Sequence, residues 1–353
     1  MTDRIARITA LGCATPDHDI HTAFIGWAAK RLAPRERAVF ERMAGRSGIA
    51  HRWSVLPRLP DGGSPVAPGG FYAVDPLPGT SARMSRYGDY APELALAAIA
   101  KLSPALDPAS ITHLVVASCT GFVAPGIDQI IAQRLGLGDH VERLVVGFMG
   151  CYAAIAALRS ARHIARSCAG ARVLVVTVEL STLHLQPESA IEPLLAMLQF
   201  GDGAAAALVE TTGAGLAIES PFALALPDSA ELIRWHIGDQ GFAMHLSGEV
   251  PHRIALALGD AETRGRLCHD ASVESWAVHA GGRSILDAVA DGLGLAPEAL
   301  APSRAVLRDY GNMSSSTLMF VLSHFMQAKS RSGVALAFGP GLACEGFRFG
   351  WTE

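Results

Sequence analysis

The feature that most constrains the fold of this chain is a regular alternation of short apolar runs with longer segments rich in Ala and Leu. The run His113–Ser118, with the sequence HLVVAS, has an unbroken apolar centre, which is typical of a strand buried on both faces of a sheet. Similar runs predict strands at 144–149, 171–177, 203–210 and 276–279, and the segments between them predict helices at 92–102, 153–166 and 284–292. The alternation therefore predicts an α/β fold with a substantial buried sheet.

Two breaks interrupt this pattern. Residues 56–80 are rich in Pro and Gly and lack any periodicity, which predicts a long surface loop. A soft boundary is expected near 211–215, after the strand at 203–210. The length of 353 residues fits either two packed halves or one large α/β unit.

Composition and charge exclude several classes of protein. With 50% hydrophobic and 18% charged residues the chain can bury a large core, which argues against disorder. The net charge of −4 gives no support for nucleic acid or an anionic membrane as the main partner. No run approaches the roughly 18 consecutive apolar residues of a spanning helix, so no integral membrane segment is expected. The scattered cysteines form no C-x-x-C pair, and we expect a reduced, cytoplasmic protein without structural zinc.

Cys151 is the first candidate for chemistry. A predicted strand ends at Gly150 and an almost wholly apolar helix is predicted to begin at Cys151. The free N–H groups and the positive dipole of a helix start would lower the pKa of a thiol and favour the reactive thiolate. The alternative is a small buried hydrophobic side chain, which is the commoner role of a cysteine.

Two further segments carry polar side chains next to predicted structural junctions. His279 ends a predicted strand and is followed by two glycines and a helix, a position where α/β proteins gather catalytic groups. Asn312 precedes an amphipathic helix, and its amide could donate to an oxyanion. Each has an ordinary alternative, a core histidine and a turn asparagine.

Taken together, these strings resemble the type III polyketide synthases, the chalcone synthase-like family of condensing enzymes. The resemblance rests on the three segments above and on residues 118–128, 200–205 and 337–345, which occur in family order. Bacterial alkylresorcinol and alkylpyrone synthases are the most similar in pattern. The resemblance implies a thiolase-like fold with two pseudo-equivalent αβαβα halves, 1–212 and 213–353, that form a five-layered core.

The resemblance also implies a mechanism. Cys151 matches the nucleophile that takes an acyl group from a starter acyl-CoA, and malonyl-CoA supplies the extender after decarboxylation. His279 and Asn312 match the pair that holds the thioester oxygen and stabilises the enolate, and His279 is expected to pair with Cys151 as imidazolium. No metal and no redox cofactor are implied, since the CoA thioesters are substrates. A homodimer is expected from the resemblance alone.

The same resemblance assigns the substrate cavity. Phe200 and Met244 match two gatekeeper positions, Trp235 replaces a small glycine, and Ala124 matches a residue that reaches into the partner subunit's cavity. Other cavity positions are Cys119, Thr120, Ser181, His184 and Ser314, together with the scaffold loop at Gly339 and Pro340. Arg42 and Arg46 match CoA-binding residues, although Val39 stands where a third basic residue, Lys, is expected.

Other functions remain open at this point. A ketoacyl-ACP synthase III-like enzyme would share the fold and the triad, but would show His-Gln-Ala-Asn and Gly-Asn-Thr-Ser rather than His-Ala-Gly-Gly and Gly-Asn-Met-Ser. A hydroxymethylglutaryl-CoA synthase-like enzyme would need a catalytic glutamate, for which Glu179 is a formal candidate. A cysteine hydrolase and a catalytically silent thiolase-fold partner are the alternatives from other classes.

Overall fold

The computed structural model describes residues 4–268 and 273–353 as a mixed α/β chain. The strands are β1 (Arg7–Ala14), β2 (His18–Asp19), β3 (Trp53–Ser54), β4 (His113–Ser118), β5 (Glu142–Gly147), β6 (Val173–Leu180), β7 (Asp202–Glu210), β8 (Gly215–Ala217), β9 (Glu219–Ala225), β10 (Ile233–Gly238), β11 (Gly241–Leu246), β12 (Ser275–Val278), β13 (Gly333–Gly339), β14 (Ala343–Phe349) and β15 (Trp351–Thr352). The helices are α1 (His21–Ala29), α2 (Pro34–Ala44), α3 (Thr80–Ala100), α4 (Ile127–Leu135), α5 (Ala153–Ser167), α6 (Ile191–Met197), α7 (Val250–Gly259), α8 (Ala261–Cys268), α9 (Arg283–Leu293), α10 (Ala301–Tyr310) and α11 (Ser315–Gln327).

Two main sheets organise these elements. The first has the strand order β15-β8-β1-β7-β6-β4-β5, in which β4 runs parallel to both β5 and β6. The second has the order β12-β13-β14-β9. Strands β8 and β15 lie in the C-terminal half but complete the first sheet: β8 pairs with β1, and β15 pairs with β8. The backbone thus crosses between the two sheets at both ends of the C-terminal half.

The apolar residues form three cores that separate five layers. In β4, Leu114 and Val116 face the core shared with α3, whereas Val115 and Ala117 face the core shared with α5 and α11. The second sheet repeats this pattern: Ala335 and Ala337 of β13 join the central core, and Leu336 joins the core under α7 and α9. Because both faces of each sheet are covered, the strands have apolar residues on both sides, as the continuous runs predicted. The predicted five-layered α/β arrangement is confirmed.

Helices α5 and α11 form the central layer and position the site. Residues 153–158 of α5 are all buried, and four of the six are Ala, which lets two sheets pack closely around the helix. The start of α11 contacts the turn that precedes α5, and β13 contacts the same turn. The N-terminal ends of the two central helices therefore meet at one edge of the sandwich.

Two predictions about local structure are wrong in an informative way. The helix predicted to begin at Pro92 begins at Thr80, and Pro92 lies buried inside it, because the packing of α3 on the first sheet outweighs the helix-breaking tendency of proline. Residues 55–79 contain no helix or strand, as predicted, but Leu56, Tyr72 and Leu77 are buried. This loop is therefore part of the core and not only a surface feature.

No helix in the described part of the chain combines the length and the apolarity needed to cross a bilayer.

Candidate active site

Cys151 lies in a short 3-10 turn, Gly150–Tyr152, between β5 and α5. Gly150 has φ 70°, and a Cβ there would lie 2.6 Å from Cδ of Pro340 and 3.1 Å from Cη2 of Trp235. A Cβ on Gly339 would lie 2.6 Å from the Tyr152 ring. These two glycines allow the loop at 339–340 to pack directly on the turn that carries the thiol. The predicted scaffold role of Gly339 and Pro340 has this physical basis.

The thiol of Cys151 is flanked by Ser314 and Asn312, both of which hydrogen-bond to it. Burial nevertheless raises the pKa of Cys151 to about 12, because the loss of solvation outweighs these two hydrogen bonds. This shift opposes the predicted effect of the helix start, and an activated thiolate at Cys151 stays a prediction. The regular helix begins only at Ala153, two residues beyond the thiol, so the helix dipole acts less directly than the sequence suggested.

Asn312 is held by hydrogen bonds on both its backbone and its side chain. Its backbone N–H donates to Gln199 O at 2.8 Å, and its carbonyl accepts from the Gly201 N–H at 3.0 Å. Its side-chain Oδ1 accepts from the Ser314 N–H at 2.8 Å, and its Nδ2 donates to Gly281 O at 3.2 Å. The amide is therefore fixed with its NH2 group toward the thiol and the glycine turn after His279.

His279 follows β12 and is 1% exposed. Its ring packs near Gly281, where a Cβ would lie 3.5 Å from Nε2, so the side-chain-free turn leaves room for the imidazole. Neither ring nitrogen has a hydrogen-bond partner among the described residues. Burial lowers the pKa of His279 to about 3, which favours the neutral ring, and an imidazolium pair with Cys151 stays a prediction. A buried ring nitrogen without a partner marks a place where a substrate atom can bind.

A buried carboxylate stands behind the thiol. Glu179 accepts hydrogen bonds from the Cys119 N–H at 3.1 Å and from Thr120 Oγ1 at 2.8 Å, and also from Ser315 Oγ. Cys119 Sγ lies 3.3 Å from Glu179 Oε1 and 3.2 Å from Ser314 Oγ. Burial raises the pKa of Glu179, against the effect of these hydrogen bonds. The carboxylate of Glu179, near the end of β6, hydrogen-bonds to residues just after β4 and to the first residue of α11. These contacts hold the three elements together, which is a structural role.

A largely apolar cavity with a volume of about 190 Å³ opens at Cys151. The predicted residues that line it are Cys119, Thr120, Ser181, His184, Phe200, Trp235, Met244, Ser314 and Pro340. Trp235 and Met244 are opposite each other in the β10–β11 pair, so one hairpin presents both large side chains to the cavity. His184 Nε2 donates to Thr120 O at 2.6 Å, and His184 Nδ1 accepts from the Phe242 N–H at 3.1 Å. The imidazole ring also stacks on the ring of Phe242. It therefore supports the wall as a neutral ring.

Gly339, His279 and Asn312 are next to residues that line this cavity but do not line it themselves, and three further predicted residues lie farther out. Ala124 is exposed in the loop before α4, and Arg42 and Arg46 are exposed at the end of α2 and just after it. Their positions outside the cavity leave a role toward a second subunit or toward the outer part of a substrate. No group of three His, Cys, Asp or Glu residues that could hold a metal ion occurs within the described ranges.

The cavity extends further than the sequence predicted. A side branch, here called the α1 arm, is lined by Ile20, Ala23 and Phe24 from the start of α1 and by Leu56, Val66 and Tyr72 from the loop before α3. No motif marks these positions, because they are ordinary apolar residues that only the fold of the loop brings to the site. Their role was missed for this reason.

Arg52 was also missed. It is 2% exposed, and its NH1 donates to Met197 O at 3.1 Å and to Phe200 O at 2.8 Å, while its Nε donates to His21 Nδ1 at 3.0 Å. The guanidinium thus holds the backbone of the gatekeeper Phe200 from behind. A single Arg among 29 basic residues gives no signal of such a role in the sequence.

Comparison with known proteins identifies the family. Residues 78–213 match the family model of chalcone and stilbene synthases, N-terminal domain, and residues 217–349 match the corresponding C-terminal domain. A curated relative, type III polyketide synthase C of Arabidopsis thaliana, is 32% identical over 256 residues, which span 67% of this chain and 66% of the relative, just under two thirds of its length.

Solved structures agree with this assignment over nearly the whole chain. PKS-I from the brown alga Ectocarpus siliculosus superposes with a TM-score of 0.88 at 30% sequence identity. The superposition covers 99% of this chain and 98% of the PKS-I chain. The C-terminal type III polyketide synthase domain of Steely1, a type I/III hybrid from Dictyostelium, superposes with a TM-score of 0.87 at 24% identity, covering 98% and 99%, and supports the fold alone. The predicted thiolase-like fold is confirmed, and the ketoacyl-ACP synthase III-like alternative is set aside. The chain belongs to the chalcone and stilbene synthase family, the type III polyketide synthases, which are acyltransferases.

Proposed function

We propose that this enzyme condenses malonyl-CoA with a fatty acyl-CoA starter bound to Cys151 and cyclises the product to an alkylpyrone or alkylresorcinol. The observation that carries the proposal is that Cys151 lines an apolar cavity with the amide of Asn312 beside it, and that this amide also holds the glycine turn after the unpartnered imidazole of His279. We assign Cys151 as nucleophile, with His279 and Asn312 as donors to the reacting oxygen. The CoA thioesters are the substrates, no further cofactor takes part, and the reaction occurs in the cytoplasm.

The first step is acyl transfer. The sulfur of Cys151 attacks the starter thioester carbon, the bond from that carbon to the CoA sulfur breaks, and the acyl group remains on Cys151. The thiol proton leaves through His279, whose neutral ring can accept it, and ends on the departing CoA sulfur. A neutral histidine suits this step, because it can act first as base and then as acid.

The second step forms the carbon–carbon bond. Malonyl-CoA loses CO2, and the electron pair of the broken bond forms an enolate whose oxygen accepts from Nε2 of His279 and Nδ2 of Asn312. The enolate carbon then attacks the thioester carbon, the bond from that carbon to the Cys151 sulfur breaks, and the sulfur leaves as a thiolate that takes up one proton from water to restore the thiol. A preorganised donor of this kind typically contributes about 3–4 kcal/mol to the transition state in acyl transfer. Low solvation around the pair strengthens both hydrogen bonds.

The shape of the cavity supports a long starter. The α1 arm leads away from Cys151 between α1 and the loop before α3, and its six defining residues are all apolar except for the hydroxyl of Tyr72. That hydroxyl donates to Thr182 O at 2.8 Å, so it is satisfied without a ligand. An alkyl chain against these residues would bury apolar surface. Trp235 and Met244 occupy the opposite wall, which limits the space for repeated extension.

The exposed edge of the first sheet supports a homodimer. Strand β5 has one neighbour, β4, and its residues Leu144 and Val145 are 43% and 50% exposed. Phe122 and Phe148 lie beside it, each 53% exposed, with ring centroids 6.4 Å apart. An apolar edge strand without a cover is a template for pairing with a second chain. Its proximity to Ala124 agrees with the expected role of that residue toward the partner's cavity.

The central prediction concerns covalent loading of Cys151. Incubation with dodecanoyl-CoA should add one acyl group to the protein. The variant Cys151→Ala should form neither this adduct nor any condensation product from malonyl-CoA. Intact-mass analysis measures the adduct and product mass spectrometry the turnover. The exposed Cys168 provides the matched control, since Cys168→Ala should load normally. An unmodified wild-type thiol without turnover would favour a silent partner protein, and normal turnover by Cys151→Ala would refute the assignment of Cys151 as nucleophile.

A second prediction follows from the direction of the pKa shifts. Because burial raises the pKa of Cys151 to about 12, the thiolate fraction should increase about tenfold per pH unit across pH 6–9. The rate of Cys151 alkylation by iodoacetamide, measured by peptide mapping, should rise through this range without a plateau. A plateau below pH 7 would instead show a thiolate–imidazolium pair, and His279→Ala should then remove it.

A third prediction tests the α1 arm. Ala23→Phe should fill the arm and lower kcat/KM for dodecanoyl-CoA by about tenfold relative to hexanoyl-CoA, since overpacking typically costs about 1–3 kcal/mol. A panel of starters from C4 to C16 with product mass spectrometry measures this shift. Thr22→Phe, which places the same ring on the exposed side of α1, should keep the wild-type preference. An unchanged chain-length profile for Ala23→Phe would place the acyl chain elsewhere.

A fourth prediction tests the sheet edge. Val145→Asp places a charge on β5 and should convert a dimer into a monomer, halving the mass measured by light scattering after size exclusion. Leu256→Asp changes a residue that is 58% exposed on α7, away from this edge, and should leave the dimer intact. A wild-type monomer, or a dimer that survives Val145→Asp, would exclude β5 as the interface.

A further inference from the structure

Arg283 occupies the first position of α9, directly after the glycine turn that follows His279. The turn is anchored to the site, because Gly281 O accepts from Asn312 Nδ2 at 3.2 Å. His279 is 1% exposed, whereas the Arg283 side chain is 53% exposed four residues later. The chain thus runs from the buried His279 to the protein surface over four residues. Arg283 is the first charged residue after His279.

Arg283 reaches across to the segment that follows α2. Its NH1 donates to Arg46 O at 3.0 Å, and a Cβ on Gly48 would lie 3.9 Å from the Arg283 Cβ. The guanidinium therefore lies against the segment that carries Arg46, with Arg42 four residues earlier. Three arginines from two separate parts of the chain, Arg42, Arg46 and Arg283, share this side of the molecule.

The carboxylate partner of Arg283 binds it weakly. Asp287 Oδ2 lies 3.5 Å from the Arg283 Nε, whereas Asp287 Oδ1 lies 2.7 Å from NH2 of Arg304. Asp287 is thus held mainly by Arg304, and the NH2 group of Arg283 has no hydrogen-bond partner within the described ranges. The geometry leaves Arg283 donors for a ligand outside the protein.

We propose that Arg283 binds the phosphate groups of the CoA thioesters, as a third cation beside Arg42 and Arg46. The proposal rests on the proposed function, in which a thioester must reach buried Cys151. The phosphorylated nucleotide end of such a substrate must stay near water, because burying its charges is costly. Arginine binds phosphate oxygens in a two-pronged geometry, and the positive end of the α9 dipole adds to the attraction.

This assignment also accounts for Val39. The residue stands in α2 where a third basic side chain was expected, so α2 and the segment after it supply only Arg42 and Arg46 to that role. Arg283 comes from α9 and lies against the segment after α2, which carries Arg46. Arg283 thus supplies the missing positive charge from the segment that follows His279. Binding of the nucleotide end of CoA at Arg283 would therefore act directly on the turn beside the reacting groups.

The test measures binding of free CoA by calorimetry, independently of turnover. Arg283→Ala should raise the Kd of CoA about tenfold, as expected for the loss of a charge-assisted contact, and Arg283→Lys should recover part of the affinity. Pantetheine, which lacks the nucleotide and its phosphates, should bind wild type and Arg283→Ala equally. This second ligand separates loss of a phosphate contact from disturbance of the turn.

A matched control is available in α8. Arg266 pairs with Glu262 four residues away and its side chain is 57% exposed, much like Arg283, so Arg266→Ala should keep the wild-type Kd. An Arg283→Ala variant that binds CoA within twofold of wild type would overturn the inference, as would equal weakening for pantetheine. Failure of the wild-type protein to bind CoA at all would instead contradict the proposed function.

Discussion

The burial of α5 and α11 between two sheets is the constraint on which the rest of the structure depends. The first turns of α5 and most of α11 are apolar on nearly all sides, and the two sheets approach where small residues such as those of 153–157 occur. Because both helices begin at the same edge, the turn before α5 and the loop before α11 are forced together. Cys151 and Asn312 meet for this reason, although they are far apart in the sequence. His279 joins them from the end of β12 in the second sheet.

The same burial decides the chemistry of the pair. A thiol and an imidazole that are both removed from water avoid charge, which raises the pKa of one and lowers the pKa of the other. The sequence pattern suggested an activated thiolate because it showed a helix start but not the depth of the site. A neutral imidazole without a partner is well suited to donate to a thioester oxygen.

How much the sequence could predict depends on the range of the interactions involved. The strand His113–Ser118 and the helix from 153 were predicted almost to the residue, since an apolar run or period specifies them locally. The start of α3 at Thr80 could not be predicted, because its first turns are stabilised by packing on the sheet. Cys151, His279 and Asn312 could be proposed from family-like strings, and the fold brings their segments together. Arg52 could not, since its hydrogen bonds to the backbone at 197 and 200 leave no pattern in the sequence.

Reaction and substrate choice depend on different parts of the fold. The reacting groups lie on the rigid ends of the central helices and of β12, where substitutions would disturb two cores at once. The walls that choose the acyl chain come from α1, the loop before α3 and the β10–β11 hairpin, which pack at the periphery. A change of Ala23, Trp235 or Met244 alters the cavity and leaves the contacts of Asn312 intact. The fold therefore separates the residues of the proposed reaction from the walls of the cavity, so that the walls can vary while the contacts of Asn312 stay the same.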